Sequence, residues 1–152
     1  MNIQPRRYLF TLFVAFIALA AAGATECLGQ PQPSPPVSFI TAEELKAKVE
    51  SGAPVTIIDV RSVSDSSDSE RKIKGAIHIK LRRLRSRLAM PPLSAVSRTS
   101  DVVLYCACPN DEASIRGAQI MSESGFKRVH ALKGGWQAWK KSNGQIESRP
   151  KG

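Results

Sequence analysis

Three cysteines and two histidines are all the thiol and imidazole metal ligands this 152-residue chain carries. That is too few cysteines for a disulfide-built scaffold. With no second pair of ligands beside them, no metal site is expected. A glycine-rich phosphate loop is absent, the ten glycines and ten prolines follow no period, and no internal repeat is visible, so collagen-like and coiled-coil classes are excluded. Only one long apolar run exists, which removes multi-span membrane proteins. What remains, 42% apolar and 23% charged residues with 22 Lys+Arg against 13 Asp+Glu, is the balance of an ordinary globular domain with a basic surface. One domain is the default at this length, since a chain of about 150 residues buries roughly 68–70% of its unfolded surface.

The single apolar run lies at the start. Arg6 and Arg7 precede about 15 mostly apolar residues, from Tyr8 to Ala22, that give way to small ones, the order of a secretory signal. Cleavage after Ala22 or after Ala24 satisfies the small-x-small rule, and the later site is preferred, making residues 1–24 the signal. The run falls short of the roughly 20 residues a membrane span favours, so an uncleaved N-terminal anchor is the alternative. Glu26, just before Cys27, argues against a lipid on that cysteine. Loss of Arg6 and Arg7 lowers the formal charge from +9 to +7. The expected location is therefore periplasmic or secreted. Residues 25–38 read as a Pro-rich linker, extended through Gln30 to Pro36. The folded domain is expected over 39–145, with 146–152 as a tail.

Within the domain, Thr41-Ala-Glu-Glu44 is a capping box that predicts a helix from Ala42 to about Glu50, ahead of Gly52. The β-branched run Val55 to Val60 lacks a polar face and suits a strand covered on both sides. Ser62 to Ser69 reads as loop and Gly75 to Ile79 as strand. Leu81, Leu84 and Leu88 recur at helical spacing, opposite Arg82, Arg83, Arg85 and Arg87. Strand character returns at Val102 to Tyr105 and Lys127 to Leu132. Helices are expected from about Ser114 to Ser124 and after Gly134-Gly135, where Trp136 and Trp139 share a core-facing side. This alternation predicts an α/β fold, a central parallel sheet flanked by helices.

Leu104-Tyr-Cys-Ala-Cys-Pro-Asn-Asp-Glu-Ala-Ser-Ile-Arg-Gly-Ala118 is the most informative stretch. Strand, cysteine, short loop and helix in that order put Cys106 at the carboxyl end of a strand, where open α/β sheets hold their ligands. A loop curling back before the helix turns N–H groups inward and favours a thiolate or an anion. Asp111 and Glu112 oppose the helix end, leaving a modest net shift in the Cys106 thiol.

From about Phe39 to Trp139 the chain resembles the rhodanese family of single-domain sulfurtransferases. The resemblance rests on Thr41-Ala-Glu-Glu-Leu45, Ile58-Asp-Val-Arg61, Ile73-Lys-Gly-Ala-Ile-His-Ile79, Tyr105-Cys106 and Gly134-Gly-Trp-Gln-Ala-Trp139, five motifs in order. It implies a substrate-binding loop from Cys106 through Ala107, Cys108, Pro109, Asn110, Asp111, Glu112 and Ala113 to Ser114. It also implies a cysteine that takes up sulfane sulfur as a persulfide and passes it to a thiophilic acceptor, with no cofactor. The family's active loop usually sets Ser six positions after the cysteine. Ser114 lies eight after Cys106 and six after Cys108, so the strand end favours Cys106 as nucleophile and the loop length favours Cys108. Cys106 is preferred because Pro109 has no N–H to give. Ala113 stands where many members carry Arg, and Asp111 and Glu112 at the loop mouth are expected to weaken capture of a dianion such as thiosulfate, with Arg116 as a compensating cation. Those departures support the alternative, a non-catalytic rhodanese-like module that binds a partner or senses redox state. Cys-x5-Arg phosphatase chemistry fails, since position 112 is Glu and position 114 is Ser.

Asp59 and Arg61 are expected to form a structural pair near the sheet end. Lys80, Arg82, Arg83, Arg85 and Arg87 read as a solvated helix face, with an acidic protein partner or an anionic membrane surface as the functional alternative. The partners expected are a small sulfur donor and a thiol acceptor, with no nucleic acid, for a monomeric chain.

Overall fold

The computed structural model describes residues 36–62 and 67–149. The signal-like segment, Cys27, most of the Pro-rich linker, residues 63–66 and residues 150–152 lie outside the described residues. Along the chain run β1 (Ser38–Ile40), α1 (Ala42–Glu50), β2 (Val55–Asp59), β3 (Arg71–Ile73), β4 (Ile77–His78), α2 (Leu81–Arg87), β5 (Asp101–Tyr105), α3 (Glu112–Glu123), β6 (Arg128–Leu132), α4 (Gly135–Lys141) and β7 (Ile146–Ser148). Five strands form a parallel sheet in the order β1-β6-β5-β2-β4. Helices cover both faces, as the apolar strands without a polar side require.

The capping box closes at α1, where the Glu44 amide donates to Thr41 Oγ1 at 3.2 Å and the Thr41 amide donates to Glu44 at 2.8 Å. The central strand β5 is buried at every position and divides its side chains by the two-residue strand period. Val102 and Leu104 join Leu84, Leu88, Ala118 and Met121 beneath α2 and α3. Val103 and Tyr105 join Leu45, Trp136 and Trp139 beneath α1 and α4. Cys106 continues the first of these faces. Gly117 lets α3 approach the sheet, for a Cβ there would stand 2.7 Å from Leu104.

Three expectations need correction. Residues 146–148 are not tail: they pair antiparallel with β3, Ile146 opposite Ile73 and Ser148 opposite Arg71, in a small second sheet. The linker ends before Ser38, because β1 adds to the edge of the main sheet beside β6. The strand expected over Gly75 to Ile79 shrinks to two residues, since Gly75 turns the chain at φ +76°.

Candidate functional site

Cys106 leaves β5 at its carboxyl end and is 1% exposed. The Trp136 amide donates to the Cys106 carbonyl at 2.8 Å, tying the strand end to the first turn of α4. That approach requires the glycine before it: Gly135 has φ +47°, and a Cβ there would lie 2.2 Å from the Cys106 carbonyl oxygen. Asp111 locks the other end of the loop. It takes the left-handed conformation at φ 55° immediately before α3, is buried, and accepts the Gly134 amide at 2.7 Å. One segment, Gly134 to Trp136, thus holds both ends of the cysteine loop.

Within this clamp the Cys106 and Cys108 sulfurs are 2.8 Å apart, both as free thiols. Ser114 Oγ stands 3.8 Å from the Cys106 sulfur and donates to the Asp111 carbonyl at 2.8 Å. Burial pushes the Cys106 thiol up, and the hydrogen bond shared with Cys108 adds to this, while the backbone N–H groups of Cys108 and Ser114 pull it down. The net direction is upward. The modest shift expected from the helix end is therefore overridden by desolvation of a nearly inaccessible sulfur.

A cleft of about 610 Å³ opens in front of this sulfur. Cys106, Ala107, Cys108 and Ala113 line it from the loop, and Arg61, Lys80, Arg82, Trp136 and Arg149 line it from elsewhere in the chain. Pro109, Asn110 and Glu112 are exposed outside the lining, and Asp111 and Ser114 are buried beneath it. The carboxylate of Asp111 accepts the Gly134 amide and does not line the cleft, so it braces the loop. Arg116 bonds Gln119 at 3.2 Å and does not line the cleft. The basic helix also divides: Lys80 and Arg82 turn to the cleft, whereas Arg85 pairs with Glu123 at 2.7 Å on the surface.

Beneath the cleft, Arg61 forks onto Asp59 at 2.9 Å and 2.8 Å and also donates to the carbonyls of Asp68 and Arg71. The Arg61 guanidinium lies 4.5 Å from the Trp136 ring centroid. Arg149 reaches the same Asp59 carboxylate at 2.8 Å. His78 Nδ1 is 3.5 Å from it, long for a hydrogen bond. Burial alone raises the Asp59 carboxyl; hydrogen bonds from His78 and Arg61 outweigh it and hold the group well below the usual carboxylate range. The Arg61 fork is the firmer of those contacts.

Sequence reasoning missed Lys80, Arg82, Trp136 and Arg149 as cleft residues. Lys80 and Arg82 follow the carboxyl end of β4, a position that in a parallel sheet faces the ligand side. Arg149 follows a three-residue strand whose pairing with β3 leaves no readable period. Among the described residues no group of three or more His, Cys, Asp and Glu could hold a metal ion, and no helix is long and apolar enough to cross a membrane.

An α/β domain with a cysteine ending a central strand under a cationic cleft is the class this geometry defines. The model of the rhodanese-like domain matches residues 41–142, and the chain belongs to that family. It is 30% identical over 104 residues to the thiosulfate sulfurtransferase GlpE of Coxiella burnetii, covering 68% of this chain and 85% of GlpE. It is 27% identical over 131 residues to SseB of Mycobacterium tuberculosis, covering 72% of this chain but only 46% of SseB, so the chain spans about half that relative's length. Among solved structures, the Alr3790 protein from Anabaena sp. superposes with a TM-score of 0.61 at 30% identity, covering 73% of this chain and 82% of that one.

Proposed function

We propose that the chain is an exported sulfurtransferase that carries sulfane sulfur on Cys106 as a persulfide. The observation that supports this most strongly is the seat of Cys106: the carboxyl end of the central strand, N–H groups of Cys108 and Ser114 facing its sulfur, and a cationic cleft in front. The thiolate of Cys106 attacks the sulfane sulfur of a donor, the donor's sulfur–sulfur bond breaks, and the donor's remainder leaves with the electron pair. With thiosulfate the leaving group is sulfite. The N–H groups hold the persulfide anion, and Lys80, Arg82 and Arg149 supply positive charge for an anionic donor. An acceptor thiolate then takes the outer sulfur and Cys106 leaves as thiolate. Cys108, its sulfur 2.8 Å away, guards or resolves the persulfide and is the alternative nucleophile. Export rests on the N-terminal sequence pattern.

The buried, upward-shifted thiol favours a second reading, a non-catalytic module that binds a partner or senses redox state. One experiment separates them: sulfite release from thiosulfate in the presence of a thiol acceptor. Release that vanishes in Cys106→Ser is expected of the enzyme. A wild-type protein that alkylates at Cys106 yet releases no sulfite would establish the module.

A further inference from the structure

Two thiols meet in the cysteine loop, and carriage of a single sulfur uses only one of them. Residues two apart on an extended chain project to the same side, so Cys106, at the end of β5, and Cys108 start on one face. The chain then bends at Cys108, where the Asp111 amide donates to the Cys108 carbonyl at 3.3 Å, and the two sulfurs stand 2.8 Å apart. Both are free, and both residues line the cleft of about 610 Å³. Their exposure differs: Cys106 is buried, whereas Cys108 is half-buried. In such a pair the more accessible sulfur meets an incoming disulfide first, and the sheltered one beside it completes the exchange.

The cleft also indicates which disulfide. Lys80 and Arg82 line it from the start of α2, Lys80 half-buried and Arg82 exposed. Asp68 is the one acid among the described lining residues, and it is tied to Lys140 at 2.7 Å. A disulfide that carries carboxylates is drawn into this cationic field, and one that carries ammonium groups is repelled by it.

We infer that Cys106 and Cys108 form a thiol–disulfide exchange site for small anionic disulfides. This activity lies beyond sulfur transfer and does not depend on it. The thiolate of Cys108 attacks one sulfur of the disulfide, a bond from Cys108 to that sulfur forms, and the other half leaves as a thiolate that takes up a proton. Cys106 gives its proton to solvent and attacks the Cys108 sulfur; the mixed disulfide breaks, and the second half leaves in the same way. The two thiols of the chain are oxidised to one disulfide, and the external disulfide is reduced to two thiols. The bridge encloses only Ala107, a tight ring of the labile kind, so excess external thiol runs the same steps backwards.

The test exposes the reduced full chain to oxidised glutathione, whose carboxylates outnumber its amino groups, and to cystamine, which carries only ammonium groups. The tryptic peptide Thr99–Arg116 is followed by mass, which keeps Cys27 apart. In the wild type this peptide should lose two hydrogen atoms, carry no glutathione, and regain the hydrogens with excess dithiothreitol. C106S should accumulate glutathione on Cys108, and C108S should acquire it on Cys106 at least about tenfold more slowly, as the shelter of Cys106 requires. At low salt the wild type should react at least about tenfold faster with oxidised glutathione than with cystamine, and K80Q/R82Q should lose most of that preference. A wild type that keeps both thiols, or that stops with glutathione on one sulfur, would overturn the exchange site, and no substituted protein is needed to see it. Equal rates with the two disulfides would overturn the anionic class, and faster labelling of Cys106 than of Cys108 would overturn the order of attack. Sulfite release from thiosulfate, measured on the same preparation, separates this site from the sulfurtransferase. A bridge without sulfite release keeps the exchange site and sinks the sulfurtransferase; sulfite release without a bridge does the reverse.

Discussion

Burial and hydrogen bonding pull the Cys106 thiol in opposite directions, and burial wins. The residue is therefore mostly protonated at neutral pH and reacts through a small thiolate fraction. The sign is definite: a raised value keeps the thiol form to higher pH, so alkylation of Cys106 by a small neutral reagent should climb with pH and reach half its maximum above the ordinary cysteine value of about 8.5. Rates on a Cys108→Ser background, followed by peptide mass, measure this for one sulfur alone. A midpoint at or below about 7 would show that the loop N–H groups outweigh desolvation. Asp111 teaches the same lesson at a neighbouring position. Its left-handed backbone precedes α3, and its carboxylate accepts the Gly134 amide beneath the loop.

The turn before α4 positions Cys106 as much as β5 does. Gly135→Ala would set a Cβ 2.2 Å from the Cys106 carbonyl and force a side chain into φ +47°. The expected cost is on the order of 2 kcal/mol or more in unfolding free energy, with loss of sulfur transfer. Denaturant unfolding measures the first and sulfite release the second; a neutral substitution would show that the clamp does not position the cysteine. The elements that were legible in the sequence are those with strong local signals. Thr41 and Glu44 cap α1 as their spacing requires, the β-branched runs at Val55 and Val102 form buried strands, and Trp136 with Trp139 faces the core. What stayed hidden depends on pairing across long separations. Arg71 meets Ser148 and Arg149 meets Asp59 only through β3 and β7, strands of three residues each, too short to show alternation. The cysteine loop was legible as a strand end turning into a helix, but the division of Lys80 and Arg82 from Arg85 needed the cleft itself.

Across the whole molecule one buried charge cluster joins the sheet end to the C-terminal strand. Asp59 is fully buried between Arg61 and Arg149, so Asp59→Asn would leave two buried guanidiniums with diminished compensation, at a cost of about 3–5 kcal/mol. The folded carboxyl is depressed, and its contribution is complete above the unfolded value of about 3.9 and lost as pH falls through the folded value. Acid unfolding of the wild type should accordingly set in below about pH 4, and Asp59→Asn should flatten this limb of the pH–stability curve, the depressed Asp101 carboxyl beside Arg128 and Lys48 supplying part of what remains. A wild type that loses stability already between pH 6 and 5 would contradict the role given to Asp59. The surface arginines should matter far less: replacing Arg83 and Arg85 together by Gln, with Arg85 61% exposed, should change stability by less than about 1 kcal/mol in thermal unfolding and leave sulfur transfer intact. A tenfold loss of transfer would bring that face into the reaction.

That Cys106 carries the transferred sulfur is tested most directly by peptide-mapped mass spectrometry of the full chain after exposure to thiosulfate. One added sulfur atom on Cys106 is expected, absent in Cys106→Ser and retained to a substantial fraction in Cys108→Ser. Sulfur found on Cys108 in the Cys106→Ser protein, with none on Cys106 when Cys108 is replaced, would contradict it.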